Sequence, residues 1–386
     1  MSDVVVAGIG QIAVGEHWEI PLRSLAVRAM LAAMKDAGGL RPQALYVGNA
    51  LASILSHQAH LGNLLADYGG LAGIEAATVE AGDASGGAAL RQAYLAVKSG
   101  MVEVALVVGV EKFTDVVGAG VESALTTLTD ADFEAEQGLT PAAQAALLAR
   151  RYQHEYRLPP EALAGFAITA HANAVHNPYA MYRRAISLQT YQQAALVCDP
   201  LNLFDLAPDG DGAAALLLTR RERLPDDYPQ PLVRILASAA AVDTLALHDR
   251  VNPLEFAALR QATEQALRKA GLERDQIDLL EYHDSASIYA ALSLEASGFA
   301  ERGAGWRLAA EGEIGRNGRI PCATLGGLKA RGHPLGASGV YQAVEAVLQL
   351  RGQAGANQIP GARYAMIQSL SGPASCAVVH LLERFA

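Results

Sequence analysis

The sequence has few cysteines and few charged residues. Three of its 386 residues are cysteines (Cys198, Cys322 and Cys376), and no two of them have the spacing of a metal-binding or redox pair. This sparse, odd number excludes a disulfide scaffold and favours a reducing compartment. Charged residues make up 18% and hydrophobic residues 51% of the chain. Because the usual charged share is about 25%, we expect a large buried interior and no extended disorder.

Signals for membranes and nucleic acids are also absent. No uninterrupted apolar run approaches the ~18–20 residues of a membrane span, and the first twenty residues lack the basic start of a signal peptide. The net charge of −10 disfavours nucleic acid as a partner. We therefore predict a cytoplasmic, oligomeric protein without a membrane segment.

Short apolar runs alternate with alanine-rich helical stretches, which indicates α/β layers. In the first part of the chain the sequence predicts strands at Val4–Gly10, Ala44–Leu51, Glu75–Glu80 and Val104–Val110, and helices at Ser24–Gly38 and Ser85–Ser99. The later part repeats this order, with strands at Pro231–Val242, Asp278–Tyr282, Ala365–Ser371 and Ala377–Leu382, and helices at Phe256–Ala270 and Gly339–Leu350.

The repetition predicts a duplicated fold. We expect one half at residues 1–225, containing an inserted lobe at about 114–199, and a second half at residues 226–386. The core resumes after the lobe at Asp211–Leu218. Asp83–Gly86 and Gly336–Gly339 open two helices of similar length with related residues, as a duplication predicts.

Three places contain residues that could carry chemistry. His333 lies in the glycine-rich stretch Gly326–Gly339, which could equally be a structural or phosphate-binding loop. His283 and Asp284 follow a predicted strand, where ligands gather in α/β proteins, although a buried, hydrogen-bonded histidine explains His283 as well. Asp83 precedes a helix and could simply cap it.

Taken together, the motifs resemble the thiolase superfamily, and most closely the sterol-carrier-protein type of thiolase in archaea and bacteria. GHPLGASG is similar to the family's G-H-P-x-G-A-[ST]-G, and EYHDSAS to its H-D-C-F segment. HNPYA, DGAAALLL and VALVVGVEK match further family segments, so the resemblance covers nearly the whole chain. It implies a duplicated five-layered α-β-α-β-α core, with a mixed sheet from each half and an inserted loop lobe.

The resemblance also implies a site that acts on acyl-CoA. His333 and His283 occupy the positions that stabilise the enolate of a CoA thioester. Backbone N–H groups near Gly372 and Gly336 would serve the second oxyanion site. Coenzyme A thioester is then the substrate, with no tightly bound cofactor and no metal. Arg183 and Arg184 in the lobe could meet the CoA phosphates, although solvated arginines are the commoner finding.

The sequence departs from the family at its nucleophile. Asp83 occupies the position of the catalytic cysteine, and the final glycine turn, Ser369–Pro373, lacks the second one. Cys322 and Cys376 lie near these motifs and are weak substitutes. A carboxylate is a poor nucleophile toward a thioester, so ordinary thiolysis is not expected.

An intact enolate site without a cysteine suggests aldol or retro-aldol chemistry on a 3-hydroxyacyl-CoA. Asp83 is the candidate base, but an ionised carboxylate ~4 Å from an enolate oxygen costs about 4 kcal/mol at an effective dielectric near 20. Burial would raise its pKa and the helix N-terminus would lower it. Tyr282, Tyr341 or Tyr364 could serve instead.

Two alternatives stay open. The chain could be a non-catalytic thiolase-like subunit that binds CoA esters or supports a partner enzyme. It could also be an acetyl-CoA acetyltransferase or thiolase with an unforeseen nucleophile. The resemblance implies a homodimer, and relatives of this type often pair with a small zinc-ribbon and OB-fold protein.

Overall fold

The computed structural model of the chain describes residues 3–385. Its strands are β1 (Val4–Gln11), β2 (Ala44–Gly48), β3 (Glu75–Val79), β4 (Val104–Glu111), β5 (Leu196–Cys198), β6 (Leu201–Asn202), β7 (Gly212–Arg220), β8 (Leu232–Val242), β9 (Leu279–Glu281), β10 (Tyr364–Ser371) and β11 (Cys376–Phe385).

The helices connect and cover these strands. They are α1 (Leu22–Asp36), α2 (Ala52–Leu55), α3 (Leu61–Tyr68), α4 (Ser85–Ser99), α5 (Ala119–Thr126), α6 (Pro141–Tyr156), α7 (Ala164–Ala174), α8 (Leu188–Gln192), α9 (Ala257–Ala270), α10 (Ser287–Ala296), α11 (Gly305–Ala310) and α12 (Ser338–Arg351). Short 3₁₀ turns lie at Ala135–Gln137, Leu203–Asp205, Arg221–Arg223, Leu247–Asp249, Arg274–Gln276, Leu335–Ala337 and Gly355–Asn357, and Gly327–Arg331 forms a π-helical turn.

Most predicted strands and helices are present, with ends that differ by a few residues. The predicted strand Ala44–Leu51 stops at Gly48. The next residue, Asn49, turns its side chain to other partners: its amide donates to Glu111 and its oxygen accepts from the N–H of Ala52, at the start of α2. Local capping therefore ends the strand before its apolar run ends.

The two halves are related by the order of their strands. The described sheet runs β3-β2-β4-β7-β1-β8-β11-β10-β9, and an isolated bridge between Leu280 and Cys322 extends its far end. When the strands of each half are numbered by their position along the chain, both halves have the same order from the outer edge of the sheet to its centre. The resemblance implies a mixed sheet from each half, and in the structure β1 and β8 pair through Val5↔Arg234 and Val6↔Val233 and join the two into one.

Helices fill the space on both sides of the sheet. In α1 the buried residues recur at helical spacing, Leu22, Leu25, Ala26, Ala29, Met30 and Ala33, and pack on the outer face of the first half. Helices α4 and α12 lie in the middle, where Ala89, Leu90, Val340 and Val344 share one core with strands of both halves. With α9 and α10 in the outer core of the second half, the layers are α-β-α-β-α, as expected.

Glycine allows the two central helices to touch at their first turns. A Cβ on Gly339 would lie 2.5 Å from the backbone nitrogen of Gly87, and a Cβ on Gly86 would lie 2.7 Å from the carbonyl oxygen of Gly336. Contacts this short exclude any side chain. The related starts of the two helices are therefore the points at which the halves meet, and the N-termini of both helices lie together.

The inserted lobe is tied to the core by one buried carboxylate. Asp211 accepts hydrogen bonds from the backbone N–H groups of Phe113 and Thr114 and from the Thr114 hydroxyl, and it pairs with Lys112 at 3.2 Å. Burial raises the pKa of Asp211, but the bonds from Thr114, His17 and Phe113 outweigh it and lower the pKa below its ordinary value. These bonds hold the first residues of the lobe, Phe113 and Thr114, against the core.

No helix of the described residues is long and apolar enough to cross a bilayer.

Candidate active site

The structure brings Asp83, His283 and His333 into one buried cluster. Oδ2 of Asp83 lies 3.6 Å from Nε2 of His283 and 3.6 Å from Nε2 of His333. The two imidazole rings are perpendicular, with centroids 5.3 Å apart. Both separations from the carboxylate exceed a direct hydrogen bond of about 2.7–3.2 Å. The ring nitrogens can therefore turn toward a substrate oxygen without first breaking a short bond.

A tight turn before α4 directs Asp83 away from the helix that it precedes. The hydroxyl of Ser85 donates to the Gly82 carbonyl and accepts from the N–H of Ala81, which fixes the turn. The first turn of α4 has no side-chain cap. The simple interpretation of Asp83 as a helix cap is therefore wrong, and its carboxylate faces the histidines.

His333 is oriented by contacts on its other side. Its backbone N–H donates to the Pro208 carbonyl, and its Nδ1 lies 2.8 Å from the hydroxyl of Ser338, the first residue of α12. When Ser338 donates this hydrogen bond, the imidazole proton resides on Nε2 and points toward Asp83. Burial lowers the pKa of His333 and Asp83 partly opposes this, so the neutral ring is favoured.

His283 follows β9 and is fully buried. Neither of its ring nitrogens has a hydrogen-bond partner. Leaving a buried polar group unpaired costs about 1–3 kcal/mol. The ring is therefore poised for a partner that the free chain does not supply.

Electrostatics keep Asp83 ionised. Burial acts to raise the pKa of Asp83, but His283 and His333 together outweigh burial, and the pKa falls well below its ordinary value. The sequence leaves the direction of this shift open, and the two histidines decide it. The cluster therefore combines a carboxylate with two imidazoles that can donate hydrogen bonds.

The loop under the cluster is stiffened by buried charges. The backbone N–H of Leu328 donates to Asp284, and Nε of Arg331 lies 3.0 Å from Glu345 of α12. The guanidinium also covers the ring of Tyr341 at 4.8 Å. The glycine loop is thus fixed in the residues that precede His333.

A cavity of about 140 Å³ opens onto Asp83 and His333. Its walls come from the core, the lobe and the C-terminal turn, and they include Glu122, Leu125, Leu128, Pro141, Gln144, Leu206, Asp209, Leu245, Ser285, Tyr289, Gly372 and Pro373. Gly372 therefore lies at the cavity. Gly336 does not line it, and its N–H donates to Glu111. Arg183 and Arg184 are exposed on the lobe, and Arg184 lines an adjoining cavity.

Two residues of this cavity escape sequence reasoning. Tyr289 in the first turn of α10 is buried, and its hydroxyl has no partner. Burial and the nearby Asp83 raise its pKa, so the phenol stays protonated. Asp209 also lines the cavity and keeps contact with solvent; desolvation, Glu122 and Asp83 raise its pKa. The sequence signal that could have identified Tyr289 is its position six residues after His283.

The tyrosines singled out from the sequence lie elsewhere. Tyr282 is buried against Phe166, and the hydroxyl of Tyr341 donates to the Ile12 carbonyl. Tyr364 lies beside Arg363 on β10. None of the three lines the cavity, whereas Tyr289 does.

None of the three cysteines, all of which the structure describes, lines this cavity. Cys322 is buried and its thiol donates to the Ile320 carbonyl. Cys376 opens β11 and lines a neighbouring depression with Gly82 and Ser371. Burial raises the pKa of both thiols, which disfavours the reactive thiolate.

The clustered side chains are also a possible metal-ligand set. One ligand atom from each of Asp83, His283 and His333 lies within 4.8 Å of the others. Zinc held at about 2.0–2.2 Å from each ligand is compatible with the two 3.6 Å separations from Asp83. The outer nitrogen of His283 lacks the hydrogen-bond partner that usually orients a metal-binding histidine. The residues thus fit a metal incompletely.

Comparison with known proteins agrees with the fold and the motifs. A family model described as "Thiolase, N-terminal domain" matches residues 4–199, and "Thiolase C-terminal domain-like" matches residues 239–384. The architecture and these matches define a protein of the thiolase fold. The chain belongs to the thiolase superfamily.

Relatives within the superfamily carry different descriptions. An "Acetyl-CoA acetyltransferase" of Methanothermobacter thermautotrophicus is 41% identical over 100% of both chains. "Benzoylsuccinyl-CoA thiolase subunit BbsB" of Thauera aromatica is 28% identical over 96% of this chain and 94% of that protein. "Sterol carrier protein 2" of Gallus gallus is 30% identical over 78% of this chain and 57% of that protein. The sterol-carrier-protein type stays a prediction.

Solved structures show the same fold. A structure described as "Ltp2-ChsH2(DUF35) aldolase" has a TM-score of 0.83 and 26% identity, covering 98% of this chain and 97% of that one. An acetyl-CoA acetyltransferase from Syntrophomonas wolfei has a TM-score of 0.74 at 17% identity, covering 100% of both chains, and speaks for the fold alone.

Proposed function

We propose that the chain makes or breaks a carbon–carbon bond through the enolate of a CoA thioester, by aldol or retro-aldol chemistry without a cysteine acyl-enzyme. One observation carries this proposal: a carboxylate lies 3.6 Å from the Nε2 atoms of two buried histidines, beside a cavity without a thiol. This set supplies a base and two hydrogen-bond donors, but no nucleophile suited to thiolysis.

The histidines stabilise the enolate. The thioester oxygen enters from the cavity that Asp83 and His333 line, and His283 does not line it. The oxygen therefore accepts first from Nε2–H of His333 and reaches Nε2–H of His283 beside Asp83. His283 gains the partner that it lacks in the free chain. A preorganised donor is worth about 10²–10³ in rate. The histidines therefore supply the stabilisation that thioester enolates need.

Asp83 is the base, and its charge is compatible with the enolate. In the retro-aldol direction its carboxylate takes the proton of the 3-hydroxyl group as the bond between C2 and C3 breaks. The negative charge moves from Asp83 to the enolate oxygen, so two anions do not coexist. The repulsion of about 4 kcal/mol expected between them does not arise.

The reaction balances without a cofactor. The electrons of the broken C2–C3 bond form the enolate, and the alkoxide carbon becomes a ketone or aldehyde. Asp83 then returns its proton to C2, which yields a shortened acyl-CoA. The comparison with an aldolase structure of 26% identity supports this class of reaction.

The first alternative is a non-catalytic subunit that binds CoA esters. The word "subunit" in the description of the Thauera relative is compatible with it. Replacing both His283 and His333 by alanine separates the two ideas. An assembly that keeps its activity would favour a scaffold, and a dead assembly would exclude one.

The second alternative is an acetyltransferase or thiolase, the activity named for the Methanothermobacter relative. It needs a thiol from Cys322 or Cys376, both outside the cavity and with raised pKa values. Inactivation by iodoacetamide with labelling at either cysteine would favour this alternative.

Assembly and location stay proposals. The edge strand β3 is largely exposed, and unpaired edges favour pairing with another chain, which supports a homodimer. The "ChsH2(DUF35)" component of the aldolase structure supports a small zinc-ribbon and OB-fold partner. Arg183 and Arg184 are exposed enough to meet CoA phosphates. We also propose a cytoplasmic location and a boundary between the two halves of the chain at residues 225 and 226.

The experiment is a broad substrate screen. The purified chain, with any partner added, is incubated with 3-hydroxyacyl-CoA esters of varied acyl groups, and products are followed by mass spectrometry. The expected result is a carbonyl compound plus a shortened acyl-CoA, lost in His333→Ala. No turnover of any ester, in either direction, would overturn the proposal.

A further inference from the structure

A second cavity adjoins the candidate active site. It has a volume of about 690 Å³ and shares Leu206, Ala207 and Asp209 with the cavity that contains Asp83. These three residues form a common wall between β6 and β7. The two cavities therefore meet at these three residues.

Lys329 brings a buried positive charge to this cavity. Its side chain is 2% exposed, and its Nζ donates to the backbone carbonyls of Asp205 at 2.6 Å and Phe204 at 3.4 Å. An ammonium group has three donors, so one remains after these two bonds. No carboxylate oxygen of residues 3–385 lies within 4 Å of this nitrogen.

The nearest carboxylates stabilise the Lys329 charge only from beyond 4 Å. Asp205 accepts from the Tyr191 hydroxyl and the Asn202 N–H, and Asp284 accepts from Leu328. Burial lowers the pKa of Lys329 to about 8, although Asp284 and Asp205 oppose this. A buried cation without an ion-pair partner is costly, and an anionic ligand would relieve that cost.

The rest of the cavity is mainly apolar. Leu203 and Val197 at its rim are 60% and 52% exposed, and Ile186 and Phe204 line it further in. Exposed apolar side chains around a concavity favour an apolar ligand. The cavity therefore combines apolar walls with one buried positive charge, and the exposed Arg184 and Asp209 are further charged residues that line it.

We propose that this second cavity binds the acyl part of the substrate and that Lys329 pairs with a carboxylate carried on that acyl part. The inference rests on the proposed function and names its substrate class: CoA thioesters whose acyl chain bears a second, free carboxyl group. The CoA phosphates are the competing anions, because the exposed Arg184 also lines this cavity, and the binding of free CoA in the test below separates them from an acyl carboxylate.

The test is a binding experiment, so it does not depend on turnover. The Kd values of an ω-carboxyacyl-CoA without a 3-hydroxyl group, of its methyl ester and of free CoA are measured by calorimetry. Since a charge-assisted hydrogen bond is worth about tenfold to a hundredfold in affinity, the free acid should bind more tightly than the ester by that factor. Equal affinities would overturn the inference even if the chain proved to be an aldolase.

A matched variant separates binding from structure. Lys329→Gln keeps an amide that can donate to the carbonyls of Phe204 and Asp205 but removes the charge. The preference for the acid should disappear while the ester and free CoA bind as before. Equal weakening of acid and ester would indicate a structural role, and weakened free CoA would indicate a phosphate site; either result contradicts the proposal. If Lys329→Gln does not fold, the acid–ester comparison on the native chain still decides.

Discussion

Asp83→Asn tests the role of the carboxylate between the two histidines. The substitution keeps the size of the side chain and removes its charge and its ability to take a proton. The two separations of 3.6 Å show that neither histidine depends on a short bond to Asp83. The local structure is therefore expected to survive, and the change acts on chemistry.

The two possible roles of Asp83 predict effects of opposite sign. A positioned base contributes about 10²–10⁴ in rate, so its loss should lower kcat by that factor, or about 3–5 kcal/mol. If Asp83 were only a neighbouring anion, its removal would relieve about 4 kcal/mol of repulsion and raise the rate by about three orders of magnitude. The direction of the change therefore identifies the role.

The assay is single-turnover cleavage of the 3-hydroxyacyl-CoA ester found in the screen, with quenched samples analysed for the carbonyl product. Calorimetry with an acyl-CoA lacking the 3-hydroxyl group checks that binding is preserved. Glu122→Gln is the matched control, since Glu122 lines the same cavity but makes no contact with the histidines. A faster Asp83→Asn enzyme, or one with unchanged kcat, would refute the assignment of Asp83 as the base.

Further predictions concern the rest of the site and the lobe. His333→Ala should lower kcat by about 10²–10³, because one enolate donor is lost; a steady-state rate close to that of the native chain would contradict its role. Iodoacetamide should leave activity intact even when peptide mapping shows label on Cys376. EDTA should not lower turnover and added Zn²⁺ should inhibit, because a bound metal would occupy Asp83; a metal requirement in the same assay would exclude Asp83 as the base. Tyr289→Phe should raise the free energy of unfolding in urea by up to about 1–3 kcal/mol, because it removes a buried hydroxyl without a partner, yet it should raise KM. Asp211→Asn should destabilise by about 1.5–3 kcal/mol, because it weakens the charge-assisted hydrogen bonds from Phe113 and Thr114, while Lys112 keeps its ion pair with Asp115 at 2.9 Å. As the pKa of Asp211 is lowered on folding, its contribution is present above about pH 4 and is lost as the pH falls through the folded value; equal acid sensitivity of the native and variant chains would contradict this.

The fold could largely be predicted from the sequence. Apolar runs such as Val104–Val110 and the helical spacing in α1 are local patterns. They show which side chains are buried from the order of neighbouring residues alone. The repeated order of elements predicts the duplication. The joining of β1 to β8 could not be predicted, because it rests on two residue pairs between distant segments with no distinctive sequence.

The candidate site likewise has features that the sequence shows and features that only the structure shows. Glycine-rich loops and residues at strand ends are visible in the sequence, so Asp83, His283 and His333 could be named before any geometry was known. The sequence did not contain the distances among them, or the cavity that includes Tyr289 and excludes Tyr282, Tyr341 and Tyr364. These depend on how α10 and the lobe pack against the core.

The sequence by itself predicts that none of its three cysteines occupies the family's nucleophile position, since residue identity at position 83 needs no coordinates. Only the tertiary structure decided the ionisation of Asp83. Its pKa reflects a competition between burial and two imidazoles that are 200 and 250 residues away along the chain. Such a balance exists only when folding brings the groups within a few ångströms, because electrostatic interactions depend on distance and on surrounding solvent rather than on sequence separation.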